Sequence, residues 1–279
     1  MMRRLALFAA MIALVPAGAT VSAANLPRLV SMNVCTDQLV LKLADPEQIL
    51  GLSKFSRDGW QGPAATDISR YPLLSGGAED VLLIRPDIVV ASAFDKRATR
   101  ELLKANGLRL AELAVPRTLD EARQQIREAG DIIGHPDRAR QEIARLDAAL
   151  ARARAAVAER HFRVLPLSRR GWVAGSDSFV GSLLGETGLR SAAGDLGFAF
   201  GGFASLEAIV NLRPDFIVVA QAGDFARDDG QAFLLHPALE HFYPREKRIV
   251  IPERMTECGG VMLADALDAL TAELKRVGR

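Results

Sequence analysis

The chain has 279 residues, of which 49% are hydrophobic, 25% charged and 6% aromatic, a balance that excludes a disordered or collagen-like polymer and permits a substantial core. Lysine plus arginine number 35 against 34 aspartates plus glutamates, so net charge gives no reason to expect nucleic acid as a partner. At about 100–200 residues per domain, the length accommodates two lobes that need neither metals nor disulfides to hold a small core.

The first segment reads as a secretory signal: Arg3 and Arg4 precede an apolar run from Leu5 to Val15, followed by Pro16, Gly18 and small residues. Val21, Ser22 and Ala23 suit cleavage after Ala23, and the run is too short to span a bilayer. Residues 1–23 are therefore expected to be removed, taking two arginines and no acid and leaving 33 basic against 34 acidic side chains. With no cysteine at the cleavage site for a lipid anchor, the expected location of the mature chain is a bacterial periplasm.

Short runs rich in valine and isoleucine then alternate with helical patterns, as in an α/β protein with buried, mainly parallel strands. Strands are expected at 28–32, 48–52, 87–91 and 109–113, and helices at 36–43, 78–84, 97–106 and 119–133, the last two stopped by Gly107 and Gly134. This makes one lobe of 24–136. Residues 137–160 lack glycine and proline and place Ile143, Leu146, Leu150 and Val157 on one face, predicting a long connecting helix. Alternation resumes in a second lobe, 161–279, with strands at 163–167, 215–220 and 248–252, helices at 178–187 and 206–212, and a final helix from about Met262.

The two lobes share an internal repeat. EDVLLIRPDIVVA from Glu79 recurs 128 residues later as EAIVNLRPDFIVV from Glu207. Each copy reads as a short helix ended by the proline, which pushes its preceding residue out of the helical region, and then a buried strand. Enzyme signatures are lacking: there is no phosphate-cradling glycine motif, no CxxC pair and no GxSxG elbow. His135, His161, His236 and His241 have no metal-ligand spacing, which leaves a free zinc or manganese binder as a weak alternative.

The sequence resembles the periplasmic substrate-binding proteins of ABC importers for iron complexes, haem and vitamin B12. The features that carry this are the signal segment, the opening RLVSMNVCTDQLVLKLA, the phrase ILGLSKFS, both RPD repeats and the long helix between them. The resemblance implies two α/β lobes joined by a single long helix, a ligand cleft between them and little lobe closure. It implies a monomer that takes a small-molecule metal chelate, with iron or cobalt belonging to the ligand and no cofactor or catalytic residue of the protein's own. It also implies that Glu79 and Glu207, each seven positions before its proline, pair with arginines of the membrane permease. An acid at a helix N-terminus also complements the helix dipole, and it is the repeat that favours docking.

Ligand contacts are expected in loops at strand carboxyl ends, where open α/β sheets form their crevices. In the first lobe these are Met32, Asn33, Cys35 and Thr36, then Phe55, Ser56, Arg57 and Trp60, then Ser92 and Phe94. In the second lobe they are Arg169, Arg170 and Trp172, then Phe198, Phe200 and Phe203, Gln221, and finally Glu253, Arg254, Met255 and Cys258. Aromatic rings would stack on a flat or aromatic chelate and arginines would pair with its carboxylates. Cys35 and Cys258, one per lobe, leave three readings open: a disulfide, two cleft-lining thiols, or inert buried side chains. A thiol-dependent exported enzyme using either cysteine is the alternative from another functional class.

Overall fold

The computed structural model describes residues 26–57, 68–158, 160–221 and 228–277; the signal segment and Trp60 lie outside them. The first lobe contains β1 (Leu29–Ser31), α1 (Val34–Leu43), β2 (Ile49–Ser53), β3 (Leu73–Leu74), α2 (Ala78–Ile84), β4 (Ile88–Ser92), α3 (Arg97–Ala105), β5 (Leu110–Leu113) and α4 (Leu119–Ile133). Its five strands form a parallel sheet in the order β3-β2-β1-β4-β5. The connecting helix α5 runs Pro136–Val157. Beyond it come β6 (Arg163–Pro166), β7 (Trp172–Ala174), α6 (Phe179–Glu186), β8 (Arg190–Ser191), β9 (Gly201–Phe203), α7 (Leu206–Leu212), β10 (Phe216–Val219), α8 (Asp229–Ala232), α9 (Pro237–Phe242), β11 (Arg248–Val250) and α10 (Leu263–Val277). Here β11-β10-β6-β8 make a parallel sheet, and β7 and β9 pair antiparallel as a separate ribbon.

The RPD repeat has a physical meaning that the two copies share. α2 and α7 end at Arg85 (φ 52°) and Arg213 (φ 50°), both in the left-handed region rather than the extended conformation usual before proline. The aspartate that follows each proline clamps the neighbouring strand. Asp87 Oδ2 accepts the Arg28 backbone N–H at 2.8 Å, just ahead of β1, and Asp215 Oδ2 accepts that of Arg163, the first residue of β6, at 2.7 Å. Each arginine carbonyl in turn accepts the aspartate N–H, at 2.9 and 2.8 Å. The repeat is thus a helix stop and a strand clamp in one tripeptide.

α5 carries the chain between lobes, and α10 lies along it. Leu146, Ala149, Leu150 and Ala153 of α5 share one core with Leu263, Ala264 and Leu267 of α10 and with Leu29 and Leu39 of the first lobe. The far half of α10, through Ala266, Leu270 and Leu274, packs with Val157, Val164 and Ile249 in the second lobe. Arg145–Asp265 and Arg152–Asp268 pairs, both at 2.8 Å, lace the two helices. Being half-exposed, each is worth at most about 1 kcal/mol, so the buried alanine and leucine seam dominates the join. A helix pair, rather than a single rod, therefore resists bending between the lobes.

Candidate functional site

All strands of both parallel sheets run the same way within their sheet, so each lobe gathers its carboxyl-end loops at one edge. In the first lobe the β1–α1 corner begins with Asn33, whose Oδ1 accepts the N–H groups of Cys35 and Thr36, both at 3.0 Å, while Thr36 Oγ1 accepts the Asn33 N–H. This capping box starts α1. Asn33 Nδ2 donates across to Asp95 at 2.8 Å and to Ser92 Oγ at 3.3 Å, which ties the corner to the loop after β4.

These bonds redefine several expected ligand contacts. Thr36 is buried with its hydroxyl 2.7 Å from that of Ser31, Ser92 is buried under Asp95, and Met32 packs beneath β3 and α2 with Leu74 and Ala78. Asn33 has its amide committed at both ends. These four side chains shape the loops, and the surface offered to a ligand is carried by their neighbours. Phe94 is 82% exposed, and Phe55 and Arg57 are exposed on the turn after β2. That turn is held from below by Asp37 of α1, whose carboxylate accepts the Ser53 N–H at 3.0 Å and both the Ser53 and Ser56 hydroxyls at 2.5 Å. Ser56 is thereby also a buried support. Burial pushes the Asp37 carboxyl up to about 6 in spite of these donors.

In the second lobe the β7–β9 ribbon projects aromatic rings. Trp172 and Phe203 meet edge to face with centroids 5.0 Å apart, and Phe200 is 74% exposed. Phe198 turns inward onto Gly202, where a Cβ would stand 2.4 Å from the ring, so it is packing rather than contact surface. Arg169 is paired with Asp228 at 2.7 Å, Arg170 is exposed at φ 56°, and Gln221 is half-buried beyond β10. Ser168, Trp172, Val219, Ile251, Glu253 and Thr256 contribute to a cavity of 230 Å³ at the carboxyl ends of β6, β10 and β11. A larger groove of 630 Å³, lined by Phe162, Arg213, Phe216 and Tyr243, opens at the amino ends of the same strands, the wrong edge for the crevice of such a sheet.

The segment 253–260 belongs to both lobes. Glu253 and Thr256 line the second lobe's cavity, Met255 packs into that lobe's core, and Gln38 of α1 donates to the Arg254 carbonyl at 3.1 Å. Cys258 is joined by a disulfide to Cys35, with Cα atoms 5.1 Å apart. Of the three readings of the cysteines, the structure takes the disulfide. The sequence has only these two cysteines, so both sulfurs are in this bond and neither is a free thiol here. Among the described residues, no three His, Cys, Asp or Glu side chains gather as a metal site. Glu79 and Glu207 are exposed in the first turns of α2 and α7. Asp80 accepts the Ser75 N–H and is a turn residue.

Sequence reasoning passed over Asp37, Gln38 and Asp95. For the first two the available signal was the run CTDQL, in which a helix buried on nearly all sides retains three polar residues, Thr36, Asp37 and Gln38.

A family model for the periplasmic binding proteins matches residues 29–250, most of the chain. The chain is a periplasmic binding protein. No curated protein matches it, whereas solved structures of the same architecture do. The periplasmic haem-binding protein RhuT of Roseiflexus sp. RS-1 is 23% identical with a TM-score of 0.70, over 90% of this chain and 99% of that one. A periplasmic haem-binding protein of Pseudomonas aeruginosa is 26% identical with a TM-score of 0.69, over 88% and 92%. HutB of Vibrio cholerae, also a periplasmic haem-binding protein, is 17% identical with a TM-score of 0.73, over 88% and 97%. This periplasmic binding protein thus shares its two-lobed α/β fold with these periplasmic haem-binding proteins.

Proposed function

We propose that this chain is the exported solute-binding component of an ABC importer, which captures a metal chelate between its lobes and hands it to the permease. The observation that carries the reading is the paired construction at one edge of the molecule. Exposed Phe55 and Phe94 of one lobe stand on carboxyl-end loops, Trp172, Phe200 and Phe203 of the other stand on or beside the β7–β9 ribbon, and the same repeat in each lobe exposes Glu79 and Glu207. Exposed rings are costly in water unless something covers them, and a flat or aromatic chelate covers several at once. The iron or cobalt arrives with the ligand, and the protein adds no cofactor. The chemistry is binding, with modest lobe movement on a stiff helix pair and docking through the two glutamates. The haem-binding neighbours, a ferric siderophore and a corrinoid define the chelate classes to test.

The test is native mass spectrometry with absorption spectra of the mature protein mixed with haemin, cobalamin, cobinamide and ferric siderophores. One stoichiometric complex is expected. No complex with any of them would overturn the assignment.

A further inference from the structure

Asp37 is a buried carboxylate outside the set of ligand contacts. It is 0% exposed in the first turn of α1, and among the described residues no cation pairs with it. α1 packs against β1, β2, β4, α4, the turn 54–57 and residues 260–262. The three strands and 260–262 contain no charged residue, α4 turns Leu119, Ala122, Ile126 and Ala129 to the core, and Lys54 and Arg57 of the turn are exposed. The charge is met by dipoles alone. Oδ1 accepts the Ser53 N–H at 3.0 Å, Oδ2 accepts the Ser53 and Ser56 hydroxyls, both at 2.5 Å, and Ser31 and the N-terminal end of α1 add to them. A neutral side chain would hold the fold at less cost, since burying an unpaired charge is expensive.

The three bonds bracket Phe55, which is 46% exposed, with Arg57 next to Ser56. α1 is in turn fixed to the segment that carries part of the second lobe's cavity wall. Cys35, two residues before Asp37, is in the disulfide with Cys258, and Gln38, one residue after it, donates to the Arg254 carbonyl at 3.1 Å. Glu253 and Thr256 on either side of that contact line the cavity. Through Asp37, the turn after β2 is thus referenced to the far side of the cleft.

We propose that Asp37 is a positioning residue for ligand binding, whose ionised form fixes residues 53–57 against α1 and so sets the distance of Phe55 and Arg57 from the second lobe's wall. This rests on the chelate-binding reading above, in which those two side chains are contacts, and adds a pH dependence to it. Protonation undoes the arrangement for a geometric reason. An N–H only donates, so Oδ1 stays an acceptor and the proton goes to Oδ2, where two hydroxyls already donate. Once protonated, Oδ2 donates to one hydroxyl and is a poor acceptor for the other, so one arm of the tether weakens. Burial raises the Asp37 carboxyl to about 6. The ligand selects the ionised form, so affinity is full above that value and declines as pH falls through it.

The test compares the intact protein with Asp37→Asn, which is neutral at every pH and places an amide N–H₂ where Oδ2 accepts. Haemin, dicyanocobinamide and ferrioxamine B are the probes, titrated from about pH 5 to about pH 7.5, either side of the ordinary range for a buried carboxyl. The ratio of wild-type to variant affinity cancels the probe's own titration. It is expected to rise from near one at the acid end to about fivefold at the neutral end, the size of one net hydrogen bond. Ser56→Ala, which removes one hydroxyl of the tether, should give a loss of similar size at neutral pH. Hydrogen–deuterium exchange without ligand is the second readout: the amides of 53–57 should exchange about fivefold faster in Asp37→Asn at neutral pH and alike in both proteins at the acid end. An affinity ratio that stays constant with pH, or equal exchange at neutral pH, would overturn the positioning role and leave the importer reading intact. Failure of all three probes would remove the importer reading and the binding role of Asp37 with it, and the exchange result would separate that case from a turn that Asp37 does not hold.

Discussion

Replacing Cys35 and Cys258 together with serine removes the covalent tie between the β1–α1 corner and the segment that closes the cleft from the second lobe. The tie encloses 223 residues of chain. In the loop-entropy model a 100-residue loop is worth about 4.7 kcal/mol, and the logarithmic growth with length brings this one to roughly 5 kcal/mol. The measured loss should be smaller, about 2–5 kcal/mol, because the α5–α10 seam and the Gln38–Arg254 bond hold the same segments without it. For a chain of this size each kcal/mol moves the melting midpoint by about 2–4 °C, so a drop on the order of 10 °C is expected. The assay is differential scanning calorimetry of wild type and double variant, with wild type in reductant as a second route to the same state. A midpoint within about 2 °C of wild type by both routes would refute the claim that the staple stabilises the lobe junction.

Other consequences can be checked independently. Asp37 has its folded-state pKa raised from 3.8 to about 6 by burial. A raised carboxyl favours the protonated fold, so its contribution is complete below about 4 and is lost as pH rises through about 6, on the order of 3 kcal/mol in all. Asp37→Asn should flatten urea-melt stability between those pH values, and an unaltered pH profile would sink the assignment. Glu79→Arg and Glu207→Arg are each expected to lower chelate uptake in cells severalfold while leaving solution affinity within about twofold, a factor worth only about 0.4 kcal/mol. Uptake at wild-type level in both would remove the docking role. If Asp87 and Asp215 are equivalent strand clamps, Asp87→Ala and Asp215→Ala should each cost about 1–3 kcal/mol in denaturant melts, and a loss at one site alone would break the equivalence. Trp172→Ala should weaken ligand binding with little effect on the fold, since the ring is 39% exposed; unchanged affinity would place the ligand away from the ribbon.

Much of the fold was legible because its signals are local. Ala78–Ile84 and Leu119–Ile133 carry their own periodicity and stops, and the described helices match them end for end. The repeated RPD tripeptide announced two equivalent lobes before any contact was known. The β7–β9 ribbon was not legible, because three-residue strands with two glycines give too little alternation to read. The site was only partly legible. Strand-end position selected Met32 and Phe94 alike, yet one is buried and the other 82% exposed, a difference that depends on what lies above each loop.

By itself the sequence determined the alternation of strands and helices, the duplicated helix stop before a strand, and the family resemblance, all of which depend on residues within a turn or two of each other or on a pattern repeated along the chain. Tertiary structure alone decided that Cys35 meets Cys258, that Gln38 reaches Arg254 and that α10 lies along α5. Those partners are more than a hundred residues apart in sequence, and no local propensity encodes a distance that exists only once both lobes have packed on the same pair of helices.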